Sequence, residues 1–252
     1  MSMIFSITQN EFKRVFYTPI AWILFAVALF ILGLLLLVLL NNFYSEVQSK
    51  LVGLDHAPGL TDLVIAPYMF WVASIGVLVV PLFAVRSCTE ELYFGANILL
   101  SSAPISATQI VLGKYFTLVL LTLIYILISS SYAILLGYFT PIDYGKTAAA
   151  CLGVFLFISS FNAAALYIAN LTRIPIIATA AIIGLLLLMV MLYMSGSATA
   201  SSSELFLYLS NLPHLANLIT GSIDTTHATY FLLFTTLFLI LCIRRLKYRN
   251  DS

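Results

Sequence analysis

The sequence predicts an all-α membrane protein that crosses the bilayer six times. Hydrophobic residues make up 62% of the 252 residues and charged residues only 8%, whereas a soluble domain carries about 25% charged residues. Six apolar stretches are each long enough to cross the hydrocarbon core, which takes about 20 helical residues. The stretches are continuous and do not alternate with a period of two, so we expect helices and not the strands of a membrane barrel.

The predicted spans contain almost no charge. Five of them have no ionisable side chain away from their ends, and Lys114 of the third lies near its predicted cytoplasmic end. Ionisable groups inside a membrane are typical of ion-coupled transport, so the sequence argues against a secondary transporter or a proton pump. The spans are 19–40, 67–85, 108–138, 147–171, 174–194 and 226–243.

Lysine and arginine residues predict the orientation. With both termini in the cytoplasm, nine of them lie on the inside and only Lys50 and Lys146 lie on the outside, as the positive-inside rule expects. The net charge of +1 hides this asymmetry and gives no reason to expect a nucleic-acid partner. The inner set is Lys13, Arg14, Arg86, Lys114, Arg173, Arg244, Arg245, Lys247 and Arg249.

The first element precedes the first span. Residues 3–17 place Ile4, Phe5, Phe12 and Phe16 on one side and most polar side chains elsewhere. A helix with one apolar and one polar face lies in the membrane interface. We therefore predict an N-terminal interfacial helix.

The cytoplasmic loop between the second and third spans carries helix start and stop signals. Ser87 with Glu90 has the spacing of a capping box, which predicts a helix beginning at Cys88. Gly95 is expected to end that helix. Ser106 is expected to begin the third span through a second capping box.

A second short helix is predicted at 96–101, with Pro104 after it. Two short helices with defined ends predict a rigid cytoplasmic surface on which a partner docks. The alternative is a structural elbow that binds nothing.

The long outer segment 195–225 begins with a flexible linker by composition. Apolar residues then recur at helical spacing, Pro213 divides the pattern, and Gly221 is suited to end it. We predict two short helices in the outer leaflet before the sixth span. An amphipathic hairpin on the surface is the alternative.

Polar residues enter the fourth span at Ser159, Ser160 and Asn162. Such side chains form hydrogen bonds between packed helices, and the alternative is that they line a translocation path.

Signatures of catalysis are missing from the sequence. It contains no H-E-x-x-H, no G-x-S-x-G and no G-x-x-x-x-G-K-[ST] phosphate-binding loop. His56, His214 and His227 all fall in outer segments, where metal binding is the alternative to solvated loop residues, but no ligand spacing is recognisable. We assign no catalytic, cofactor-binding or metal-ligating residue.

Segments spread over the whole chain resemble the permease subunit of ABC-2 type transporters, in particular the gliding-motility permease-like branch. The loop departs from the family pattern at Ala96 and Asn97, where the family has Thr and Glu. The segments are EFKR at 11–14, YTPIA at 17–21, Glu90, Glu91, Gly95, Leu99, Leu100, SAP at 102–104, IVLGK at 110–114, His214, GSID at 221–224, Tyr230 and Phe231.

The resemblance implies two permease copies, identical or paralogous, bound to two separate ATP-binding subunits that carry ATP and Mg²⁺. In that arrangement the loop helix 96–101 sits in a groove of the ATPase and acts as a lever. The implied ATPase-coupling residues are Glu90, Glu91, Gly95, Leu99, Leu100 and Pro104.

The sequence therefore predicts the membrane subunit of an ATP-driven exporter in a bacterial inner membrane, without its own ATPase site. A structural membrane anchor of a motility or surface-assembly machine is the alternative. The spans offer no charged site for a substrate, which disfavours small ions and permits lipids, glycans or apolar compounds.

Overall fold

A computed structural model describes residues 2–47, 59–93, 106–198, 203–222 and 224–251. Every regular element within these ranges is a helix. Six of the helices are long and apolar enough to cross a membrane. The predicted fold class, an all-α polytopic membrane protein, is confirmed.

The described part of the chain contains nine α-helices. Helices α2, α3, α4, α5, α6 and α9 are the six spans, and π-helical turns Phe43–Val47 and Thr61–Ile65 adjoin α2 and α3. The helices are α1 (Ser2–Tyr17), α2 (Pro19–Asn42), α3 (Ala66–Tyr93), α4 (Ala107–Leu136), α5 (Tyr144–Ala169), α6 (Pro175–Ala198), α7 (Ser203–Leu209), α8 (Asn211–Ile219) and α9 (Thr225–Asp251).

Local sequence explains where α4 and α5 begin. Ser106 accepts a hydrogen bond from the Gln109 amide at 3.4 Å, and the Gln109 side chain accepts one from the Ser106 amide at 3.1 Å. This reciprocal pair is the predicted capping box, so that prediction is confirmed. Asp143 caps α5 in a similar way, by accepting from the amides of Gly145 and Lys146 at 2.9 and 3.1 Å.

The predicted helix start at Cys88 is wrong. Helix α3 continues without interruption from Ala66 to Tyr93, so Ser87 lies inside it and has no free backbone amides to cap. Its hydroxyl bonds side chains of two other helices, as described below. Glu90 and Glu91 therefore lie in the last turn of α3. The predicted helix 96–101, together with Gly95, Leu99, Leu100 and Pro104, lies outside the described residues.

The outer segment forms two short helices as predicted, but Pro213 does not divide them. The break lies at Ser210, whose hydroxyl caps α8 by accepting from the Leu212 amide at 3.3 Å. Pro213 falls in the first turn of α8, where its missing N–H leaves no intrahelical bond unmade.

Gly221 ends α8 with a φ of +93°, as its predicted role requires. The Gly221 amide donates to the Leu218 carbonyl and the Ser222 amide donates to the Asn217 carbonyl, at 3.2 and 3.1 Å. This is the Schellman pattern, and its left-handed residue is most often glycine.

Helix α5 lies at the centre of the bundle and packs against α3, α4, α8 and α9. In its most apolar window 78% of residues are buried, compared with 17% in α6 and α9. Two phenols fasten α4 to α3: Tyr68 donates to the Ser129 carbonyl and Tyr125 to the Val72 carbonyl, both at 2.9 Å. The outward faces of α2, α6 and α9 are apolar and exposed, as lipid contact requires.

Candidate functional site

Three helices meet at a buried charged cluster, which we call the Glu11 cluster. It consists of Glu11 from α1, Ser87 from α3 and Lys114 from α4. The Lys114 ammonium lies 3.6 Å from Glu11 Oε1 and donates to Ser87 Oγ at 2.9 Å, while Ser87 donates to Glu11 Oε2 at 3.0 Å. The side chains of Lys114 and Glu11 are only 8% and 13% exposed, so the charges interact largely out of water.

Hydrogen bonds from threonine hydroxyls to backbone carbonyls hold α1 against α4 beside the cluster. Thr8 donates to the Gly113 carbonyl at 3.1 Å, and Thr117 donates to the Thr8 carbonyl at 3.3 Å. A Cβ at Gly113 would lie 2.7 Å from the Ile7 side chain, so only glycine permits this approach. Helix α1 is therefore packed onto the third span in addition to having an exposed apolar side.

The Glu11 cluster joins α1, α3 and α4 one turn before Glu90 and Glu91. Since α3 continues through both acids, they lie on the same helix as Ser87 of the cluster. The ATPase-coupling role of Glu90, Glu91, Gly95, Leu99 and Leu100 stays a prediction, as does that of Pro104, because the structure describes none of these side chains.

Sequence reasoning placed Lys114 at the cytoplasmic end of the third span but did not connect it with Glu11. A signal was available, because both residues belong to segments that carry the family resemblance: EFKR at 11–14 and IVLGK at 110–114. Neither segment reveals that a serine from α3 bridges the two charges.

The polar group of the fourth span is fully enclosed. Asn162 donates from Nδ2 to Thr122 Oγ1 on α4 at 2.9 Å, and Ser160 donates to the Phe157 carbonyl of its own helix at 2.7 Å. Ser159 Oγ and Asn162 Oδ1 are buried without a partner among the described residues. The Asn162–Thr122 bond fastens α5 to α4, and a path-lining role for Ser159, Ser160 and Asn162 stays a prediction.

Two histidines, His214 of α8 and His227 in the first turn of α9, lie side by side. The Nδ1 atoms of His214 and His227 are 2.8 Å apart, His214 Nε2 lies 3.0 Å from the Tyr208 carbonyl, and His227 Nε2 lies 3.1 Å from Asn217 Nδ2. The expectation of a solvated loop residue is wrong for His214, which is 5% exposed. His56 lies outside the described residues.

All three hydrogen bonds of the two rings can form when both imidazoles are neutral. The Tyr208 carbonyl only accepts, so His214 carries its hydrogen on Nε2 and accepts on Nδ1. His227 then donates from Nδ1 and accepts from Asn217 on Nε2. Burial lowers the pKa of His214 and the neighbouring His227 lowers it further, against an opposing effect of the Tyr208 carbonyl. No third Cys, His, Asp or Glu completes a metal-binding group with the two within the described ranges.

One comparison with known proteins identifies a match. A family model described as ABC-2 family transporter protein matches residues 60–244, which is more than half of the chain and includes five of the six spans. No curated protein matches the sequence.

Proposed function

Because this chain belongs to the ABC-2 family of transporter proteins, we propose that it is the membrane-spanning permease subunit of an ATP-driven exporter. Separate ATP-binding subunits hydrolyse ATP, since the sequence has no phosphate-binding loop of its own. The Glu11 cluster is the observation that supports this mechanism, because it fastens α1, α3 and α4 together close to the predicted docking loop.

The assembly has two permease copies and two ATPase copies, and it belongs to the gliding-motility permease-like branch in a bacterial inner membrane. Both termini face the cytoplasm. The nine-to-two distribution of lysine and arginine supports this orientation, and Arg244, Arg245 and Lys247 in the last part of α9 are placed to contact lipid headgroups.

Movement of the ATPase reaches the membrane through α3. At 1.5 Å per residue its 28 residues measure about 42 Å, longer than the roughly 30 Å hydrocarbon core. The helix is continuous at Ser87, so displacement of the turn with Glu90 and Glu91 moves the end of α3 that follows Pro81. Pro81 removes one intrahelical hydrogen bond and is the position at which the second span can bend. The Glu11 cluster carries α4 and α1 along with the moving end.

The test is recovery of a co-expressed ABC ATP-binding subunit with the purified permease. Glu90→Gln/Glu91→Gln and Leu99→Asp should each yield a folded permease that loses the ATPase, or retains it without stimulated hydrolysis. Charge reversal at Glu90 and Glu91 to lysine should be worse than neutralisation, because like charges would face each other across the contact.

Asp62→Asn is the matched control. It neutralises an acid that pairs with Lys146 at the opposite end of the bundle, at 2.8 Å on the exposed surface, and it should leave ATPase recovery unchanged. Undiminished recovery for every loop variant would contradict the lever mechanism and favour the structural-anchor alternative.

A further inference from the structure

A cavity of about 460 Å³ opens on the side of the bundle between α3, α5, α6 and α8. Its inner wall consists of buried aromatic and aliphatic side chains, including Phe157, Phe161 and Leu215, while Leu78 and Met194 at its edge are exposed. None of the described residues that line it is charged. The volume lies within the range of small-molecule sites, about 300–1,000 Å³.

One lining residue has an unsatisfied polar group. Asn211 is 1% exposed, and its Nδ2 has no hydrogen-bond partner among the described residues. A buried amide without a hydrogen-bond partner is unfavourable, so this residue is destabilising unless something else supplies the bond.

Reorientation of the amide does not remove the problem. Tyr230 Oη lies 2.6 Å from both Asn211 Oδ1 and the Leu209 carbonyl, but it has one hydrogen to donate. The carbonyl can only accept, so the phenol donates to it, and a rotated Asn211 donates to the phenol. In the rotated orientation the Asn211 nitrogen is bonded to Tyr230 and the oxygen takes the unpartnered position, so at least one end of the amide stays unpartnered in either orientation.

Asn211 is also held in place. Ser210 next to it donates to the Met189 carbonyl of α6 at 3.0 Å while capping α8. This bond fixes the start of α8 to the helix that forms another wall of the cavity. The Asn211 Nδ2 atom is itself buried, so a ligand bonds it after a small rotation of this side chain or of a neighbouring wall residue.

We infer that this cavity binds an uncharged amphiphile that carries a hydroxyl group, with the hydroxyl at Asn211 and the apolar chain along Phe157, Phe161 and Leu215. A hydroxyl both donates and accepts, so it satisfies either end of the amide. The apolar walls exclude a charged head, because no described lining residue would compensate the charge. The role of the amphiphile as the exported substrate rests on the proposed function. Its binding in the cavity does not.

Photolabelling tests the site directly. The full-length protein in phosphatidylcholine vesicles is labelled with hexadecanol that carries a diazirine in its chain, and labelled peptides are identified by mass spectrometry. Labels are expected on α5, α6 and α8, and unlabelled hexadecanol should compete well while hexadecane competes poorly. Equal competition by hexadecane would overturn recognition of the hydroxyl.

Two variants and a control assign the contact. Asn211→Leu should lower labelling about two- to tenfold, which is the effect of one hydrogen bond. Asn217→Leu is the same change on the same helix, outside the cavity, and should leave labelling unchanged. Leu186→Trp fills the cavity with Asn211 intact and should abolish labelling there, so the inference remains testable if Asn211→Leu fails to fold.

A second permease copy is the competing occupant. Disulfide formation between copies of a Met194→Cys variant, together with absent labelling of α5 and α8, would overturn the inference in favour of a subunit interface. If labelling persists but no ATPase is recovered, the binding site is supported and the proposed exporter function is contradicted. If labelling occurs but hexadecanol does not change stimulated ATP hydrolysis, the binding site is supported and the amphiphile is not the exported substrate.

Discussion

Buried polar residues of this protein differ in how many of their hydrogen-bonding groups are satisfied. Asn162 has one bond across helices, to Thr122, and one unpartnered oxygen among the described residues. Asn211 also has one unpartnered atom, its nitrogen Nδ2. It lies at the wall of a cavity instead of between two tightly packed spans. The same side chain therefore fastens helices in one place and offers a binding group in the other.

Asn162→Ala should lower stability by about 1 kcal/mol or less, since hydrogen bonds between membrane helices average about 0.6 kcal/mol. Thr122→Val removes the same bond from the other helix, and the double variant should be little worse than either single one. Thermal unfolding in detergent measures all three. Unchanged stability with altered ATPase stimulation would instead indicate that Asn162 lines the path.

The His214 pair should make stability depend on pH. The pKa of His214 is lowered by burial, so the unfolded chain binds a proton more readily than the folded one. Stability is therefore complete above the unfolded pKa, near 6.5, and falls as the pH drops below it toward the folded value. Thermal unfolding in detergent between pH 8 and 5 should show this decline.

His214→Gln should flatten the decline, because glutamine does not titrate. Other titratable groups face His214. They are His227 on α9 and Asp224 just before α9, together with Tyr230, stacked on the His214 ring at 4.2 Å, and Tyr208, which approaches from α7. An unaltered slope in the variant would assign the pH dependence to another group.

The Glu11 cluster joins helix α1 to both α3 and α4. Glu11→Gln should destabilise the protein by about 3 kcal/mol, because it breaks a buried ion pair while the Lys114 charge stays in place. Glu11→Gln/Lys114→Met removes both charges and should recover much of the loss. Thermal unfolding in detergent compares the two.

Asp62→Asn provides the contrast. It breaks the Lys146–Asp62 pair, whose side chains are 39% and 41% exposed, and exposed pairs contribute little. No measurable loss of stability is expected there. An equal loss for Asp62→Asn and Glu11→Gln would show that burial of the Glu11 cluster does not determine its strength.

Helix boundaries show where local signals suffice. The capping box at Ser106 and the end of α8 at Gly221 follow from nearby residues, and both were predictable. The box at Ser87 has equally good spacing, but its hydroxyl is used by Glu11 and Lys114 from distant parts of the chain. A local pattern predicts a helix start only when tertiary contacts do not use the same side chain.

The candidate sites were less predictable for the same reason. Glu11 and Lys114 are 103 positions apart in the sequence, and the cavity around Asn211 needs four helices in place before it exists. The one local signal missed at Asn211 is the Ser210 cap before it, with proline tolerated in the turn that follows. The six spans were predictable because the bilayer imposes their length and composition.

For the whole molecule, the orientation can be tested at two exposed positions. In a background with Cys88, Cys151 and Cys242 replaced by alanine, Phe139→Cys should react with a membrane-impermeant thiol reagent in intact cells. Tyr248→Cys should react only after permeabilisation. Both side chains are exposed, at 86% and 73%, so accessibility within the protein does not bias the comparison. The reverse pattern would invert the topology and place the loop after α3 outside.

The burial of α5 has a consequence for biosynthesis. This helix leaves the ribosome before α8 and α9, which cover part of its surface in the finished protein. Until they arrive, that flank meets lipid, which offers its small and polar residues neither close packing nor hydrogen bonds. A chain that stops before the last span therefore exposes to lipid a surface of α5 that is covered in the complete protein. We expect membrane proteases that act on incompletely folded proteins to degrade it.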